Sequence, residues 1–153
     1  MDMMDMYSNH MAATLKTPAQ VTGDTYTDYI DTADAVGVLF LIHANATTAD
    51  GSNYIAPKLY GTNSANPETF TNYTQCLDDE VLGSVDATNA NSDVINTTGN
   101  TLDVLSLRRH TYRYYCFLLD ETSTADAIIG VTAVVCKRHT NAFSDTPVTG
   151  TVS

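Results

Sequence analysis

Tyr112-Arg113-Tyr114-Tyr115-Cys116-Phe117-Leu118-Leu119, the polar connector Asp120 to Asp126, and the apolar run Ala127 to Lys137 together decide the fold class. Both runs are rich in aromatic and β-branched residues, which suit a pleated, half-buried surface. The connector is made of turn formers, so the unit reads as a β-hairpin with a long loop. Working outward, Ala35 to Ala44 is almost wholly apolar and rich in branched residues, which predicts a buried central strand. Thr101 to Leu107 alternates, with Leu102, Val104 and Ser106 on one face and Asp103, Leu105 and Leu107 on the other. Tyr54 to Gly61 alternates loosely around Pro57, which places it at an edge or a bulge. Tyr26 to Ile30 adds a short strand, and Gln75 to Leu82 has room for one helical turn. Six to eight short strands separated by turn signals predict an all-β, antiparallel sandwich of jelly-roll-like form.

Composition agrees. The 153 residues fit one domain. Charged residues are only 16%, and the remaining polarity is neutral: 24 Thr, 11 Asn and 9 Ser, which favour strands and turns over helices. Residues 1–24 are expected to form an N-terminal arm and 25–153 the sandwich. All five methionines fall within the first 11 positions, and no period holds before Gly23. Methionine fills irregular apolar surfaces, so Met3, Met4, Met6 and Tyr7 are candidate partner contacts.

The chain carries 7 Lys and Arg against 18 Asp and Glu, a net charge of −11. An acidic protein repels phosphates instead of releasing counterions from them, so no nucleic-acid partner is expected. The apolar run of ten residues at Ala35 to Ala44 is half a membrane span, so no membrane partner is expected either. The opening Met1-Asp2-Met3-Met4-Asp5-Met6 lacks the basic start and apolar core of a secretory leader, which predicts assembly in a cytosol-like compartment. Cys76, Cys116 and Cys136 have no CxxC spacing and read as free thiols. The three sequons at Asn45, Asn72 and Asn96 are what chance gives in a chain this rich in Asn and Thr.

No nucleophile–base, metal-ligand or phosphate-loop motif is present, so neither catalysis nor a cofactor is expected. Asp50-Gly51-Ser52-Asn53 lacks the preceding ligands of a calcium loop and reads as a turn. Asp78-Asp79-Glu80 reads as a solvated acidic face, and His43 as a core or capping histidine. Positive charge, by contrast, is concentrated. Arg108, Arg109 and Arg113 form one cluster and Lys137 and Arg138 another, with His110 and His139 beside them. A hairpin closing near Ser123 brings both clusters to one end of one sheet. Three roles are open to that end: docking on an acidic protein surface, a local nucleic-acid contact, or pairing with Asp103, Asp120 or Glu121 of the same chain.

The order of an apolar strand (Val36 to His43), Asp50-Gly51-Ser52-Asn53-Tyr54-Ile55, Lys58-Leu59-Tyr60-Gly61-Thr62, and then Arg109-His110-Thr111-Tyr112-Arg113-Tyr114 before a valine-rich strand ending at Lys137 resembles a loose family. Its members are small tailed-bacteriophage proteins encoded near the major capsid protein, the head decoration or cement proteins. The resemblance covers roughly residues 25–145, and the methionine-rich start has no counterpart in it. It implies a β-rich fold, homotrimers on local threefold axes, and the major capsid protein as partner at the virion exterior. On that reading Arg108, Arg109, His110, Arg113, Lys137 and Arg138, with the arm, contact the shell, while outward apolar residues among Tyr114, Phe117 and Val135 hold the trimer. A head–tail neck or tail-fitting protein and a ligand- or receptor-binding β module are the alternatives.

Overall fold

The computed structural model describes residues 10–83, 95, 97–137 and 148–153. It is a sandwich of two antiparallel sheets. The first sheet takes, in spatial order, β1 (His10–Val21), β10 (Ala127–Lys137), β4 (Ala35–Ala46), β8 (Gly99–Leu107) and β7 (Val81–Gly83). The second takes β11 (Thr149–Gly150), β3 (Tyr29–Asp31), β9 (Tyr114–Thr122), β5 (Tyr54–Thr62) and β6 (Thr74–Gln75), with β2 (Thr25–Tyr26) also pairing on β9. Among the described residues the helical content is two short 3-10 turns, Phe70–Asn72 and Asp78–Glu80.

The apolar Ala35 to Ala44 run does form the central strand of its sheet, but only one of its faces is buried. Val38, Phe40, Ile42 and Ala44 point into the core, whereas Leu39 and Leu41 are half-buried on the other side and His43 is exposed. His43 is therefore a surface residue and not the core or capping histidine expected. β8 alternates as its sequence does, with Leu105 and Leu107 inward and Leu102 and Val104 outward. Across the core, Phe40 of one sheet meets Phe117 of the other edge to face, with ring centroids 5.1 Å apart. Both rings are fully buried, and such a pair adds about 0.5–1.5 kcal/mol to the transfer energy of the rings. Phe117 and Val135 are thus core residues, and Tyr114 is half-buried on the outside of the second sheet.

Two expectations about the chain path are corrected. β9 and β10 do not pair with each other: β9 lies between β3 and β5, and β10 between β1 and β4, in the other sheet. The connector between them is an arch across the core. Ser123 turns the chain with a φ of 65°, and Ala125 is fully buried as a plug between the sheets. Thr48 clamps the arch, its hydroxyl donating to the Thr124 carbonyl and accepting from the Asp126 N–H at 2.7 Å.

The second correction concerns residues 1–24. From His10 onward this segment is an edge strand of the chain's own first sheet, paired with β10 from His10↔Cys136 to Val21↔Ala127, with Leu15 and Val21 buried. Two irregularities, between Thr14 and Lys16 and between Lys16 and Ala19, break its period, which is why it reads as patternless. Met3, Met4, Met6 and Tyr7 lie outside the described residues.

Candidate partner-binding site

The basic loop Arg108–Arg113 joins β8 to β9 and so crosses from one sheet to the other at one end of the sandwich. Its position is fixed by Glu80, which is buried. The Glu80 main-chain carbonyl accepts the Arg108 N–H at 2.7 Å and the Arg109 N–H at 3.2 Å. Its carboxylate accepts the Leu77 N–H at 2.8 Å and the Thr111 hydroxyl. The acidic run is therefore not simply a solvated face, because its last residue is the bracket beneath the loop. On the loop's far side the Tyr112 N–H donates to the Tyr115 hydroxyl at 3.0 Å, and the Arg113 N–H to Asn63 Oδ1 at 2.8 Å. The Tyr112 ring lies where a side chain on Gly61 would be, so a glycine is required there: an added Cβ would stand 2.2 Å from the ring.

Arg113 is committed to its own chain. Its Nε and Nη2 reach the two carboxylate oxygens of Asp31 at 3.0 and 2.6 Å, and its guanidinium lies 4.9 Å from the centre of the Tyr114 ring. Burial of Asp31 opposes ionisation, but the Arg113 and Ala33 hydrogen bonds and the nearby positive charges outweigh it and hold the carboxyl below its ordinary range. Lys137 is one of those charges, which places it at the same end as Arg113. Lys137, the described residue of the second cluster, thus shares an end with the Arg108–Arg113 loop, although through an arch instead of a hairpin. Internal pairing occurs with partners other than those expected: Asp31 for Arg113 and Asp79 for Arg109, the latter at 3.4 Å between two exposed side chains. Asp120 instead pairs with Lys58. A single exposed pair such as Arg109–Asp79 is worth under about 1 kcal/mol, so it leaves Arg109 open to exchange for another carboxylate.

Arg108, Arg109 and His110 are exposed on the loop, and partial desolvation of the His110 ring by its neighbours lowers its pKa. Arg138 lies outside the described residues. Asp31, Asp34, Asp78 and Asp79 share this end, so its character is mixed charge on a rigid frame and not a purely basic patch. Arginine forks facing outward from a fixed loop suit carboxylates of a protein partner.

Elsewhere Asp50 forms the expected turn, its carboxylate accepting the Ser52 and Asn53 N–H groups at 2.7 and 2.9 Å. Cys76, Cys116 and Cys136 are free, and the first two are buried. Among the described residues no cluster of three His, Cys, Asp or Glu side chains is placed to hold a metal ion, and no helix is long and apolar enough to cross a membrane. Three of the tyrosines that a ligand module would display as a platform pack on Phe70: Tyr26 at 4.1 Å, Tyr60 at 4.9 Å and Tyr73 at 5.9 Å between ring centroids. No family model, no curated protein and no solved structure matches the chain.

Proposed function

We propose that this chain is a non-enzymatic virion structural protein, a homotrimeric capsid decoration or cement protein that binds the outer surface of the major capsid protein shell and stabilises it. The observation that carries the reading is the loop Arg108–Arg113. Pinned by Glu80 from below and by Asp31 from the side, it presents Arg108, Arg109 and His110 at the end of a rigid sandwich. A preorganised loop loses little entropy on docking, which suits a small protein that must hold a neighbouring subunit. The sequence resemblance to phage decoration proteins supports the same reading.

The test is occupancy on purified tailed-phage capsids assembled from a major capsid protein, read by co-sedimentation. Arg108→Glu with Arg109→Glu should lower occupancy at least tenfold and leave the melting temperature unchanged. Arg113→Glu behaves differently: it sets a second carboxylate against Asp31, so the melting temperature falls. Occupancy should also drop with added salt, because exposed charge pairs are screened. Full occupancy by the double variant removes the loop from the interface, and a wild-type chain that never sediments with capsids removes the cement reading.

A further inference from the structure

We propose that the outer face of the first sheet is the surface through which copies of this chain bind one another. The inference deepens the self-association in the reading above, names the surface that carries it, and does not depend on the shell.

The two sheets differ on their outer sides. The outside of the second is covered by the chain itself: Tyr73 and Val152 close over Tyr29 and Cys116, with Phe70 packed against them. On the outside of the first, the described residues leave Leu82, Leu102, Val104 and Ile128 exposed, with Pro18 folded over Gly130. There the register lines up Leu39 of β4 with Val134 of β10, and Leu41 with Val104 of β8. Leu102 stands opposite His43, and Leu82 of β7 opposite Ser106. Leu82 and Leu102 keep 54% and 55% of their surface exposed, which is far more than isolated core-edge residues need. The next row holds Asn100, Asn45, Ile128 and Gln20. Across these rows of β10, β4 and β8 there is no Asp, Glu, Lys or Arg.

That absence selects the occupant. A chain of net charge −11 meets its own carboxylates over most of its surface, and like charges held together oppose association. This uncharged face is where a second copy can approach without that cost. A basic partner would be drawn to the carboxylates elsewhere and would gain nothing here. The sheet edge is a poor alternative, because β1 carries Lys16, Pro18 and two bulges, the devices that blunt strand addition. Pro18 also folds over Gly130, where an added Cβ would stand 2.8 Å from its ring. The three uncharged strands β10, β4 and β8, spaced ~4.8 Å over about eight residues at ~3.3 Å each, with three-residue β7 beside them, give a face of roughly 400 Å² in projection. Side-chain relief adds to that area, which compares with the ~800 Å² per partner of an ordinary stable interface.

Light scattering and sedimentation of the full chain test this. The wild type should have a mass of two or three protomers of 16.5 kDa. Leu102→Asp and, separately, Leu82→Asp should weaken association at least tenfold, whereas Val148→Asp, at an equally exposed position off this face, should not. Near-ultraviolet circular dichroism checks that each variant is folded, and the second variant carries the test if the first is not. A wild type that stays monomeric up to millimolar concentration overturns the proposal, as does an oligomer that survives both substitutions. An oligomer that never sediments with capsids would sink the cement reading and keep this interface; a monomer that decorates capsids would do the reverse.

Discussion

Replacing Glu80 tests whether the frame under the basic loop is held by one buried side chain. Its carboxylate takes the Leu77 N–H at 2.8 Å and the Thr111 hydroxyl. In Glu80→Ala both donors lose their acceptor. Leaving a buried donor unsatisfied costs about 1–3 kcal/mol, and hydrogen bonds to a charged group contribute about 1.5–3 kcal/mol. Part of the loss is recovered from water at the rim, so the expected cost is ~2–3 kcal/mol. For a chain of this length that corresponds to a fall in melting temperature of about 4–12 °C. Glu80→Gln is the sharper comparison. Its amide oxygen still accepts from Leu77, and its NH₂ donates to the Thr111 oxygen, so only the charge is lost and the cost should stay under ~1 kcal/mol. Urea unfolding gives the energies, and amide exchange at Leu77 and Arg108 reports the loop, which should open in the alanine variant alone. Equal midpoints for wild type and Glu80→Ala, or a glutamine as costly as the alanine, would refute the bracket.

Two further outcomes follow from the packing and the titrating groups. Gly61→Ala drives a methyl into the Tyr112 ring and should destabilise by about 1–3 kcal/mol; adding Tyr112→Ala should recover most of that in a thermal-melt double cycle. Stability should also fall at both ends of the pH scale. Burial raises the Cys76 thiol and the Tyr115 hydroxyl each to about 12, so the unfolded chain releases these protons first; stability is full below the unfolded thiol value of about 8.5 and declines toward pH 12. Asp31 runs the other way: its lowered pKa stabilises the fold above about pH 4, a contribution lost as pH falls through the folded value. A denaturation midpoint flat from pH 8 to 11.5 would contradict the burial of Cys76 and Tyr115.

Strand identity was legible where the period was unbroken. β4, β8, β9 and β10 all stand out as apolar or alternating runs, and Pro57 falls in β5 between the Ile55–Ile95 bridge and two-residue β6. β1 was not legible, because two bulges interrupt its alternation between the buried Leu15 and Val21 and leave Thr17 and Ala19, which an unbroken period would turn inward, exposed. The arch was mistaken for a hairpin because a short polar connector serves either. The signal that separates them is Ala125: a hairpin tip has nowhere to bury an alanine, whereas an arch needs a small apolar plug. At the site, the clustering of arginines was legible but their division of labour was not. Arg113 and Arg109 look alike in sequence, and only the fold brings Asp31 of β3 beside one of them. Glu80 carried no signal of burial, since a carboxylate in an acidic run is ordinarily solvated.

Lys137 and the Arg108–Arg113 loop share an end whether the connector is a hairpin or an arch, for a physical reason. Hairpin and arch both reverse the chain, so the start of β9 and the end of β10 must lie at one end of the molecule in either case. What changes is the setting. In a hairpin the clusters would neighbour each other along one sheet. In the arch, Arg113 adjoins the start of β9 in one sheet and Lys137 ends β10 in the other, both near the Asp31 carboxylate. The end of the sandwich is thereby fixed across both layers, and the outward rows of β10, β4 and β8 stay clear of Asp, Glu, Lys and Arg. An end and a lateral face do not overlap, so both can be occupied at once. Copies joined through their faces would carry two or three loops on one rigid body, and linked weak contacts bind far more tightly than any of them alone. On that argument, a substitution that only dissociates the copies, such as Leu102→Asp, lowers capsid occupancy although it touches no residue of the loop.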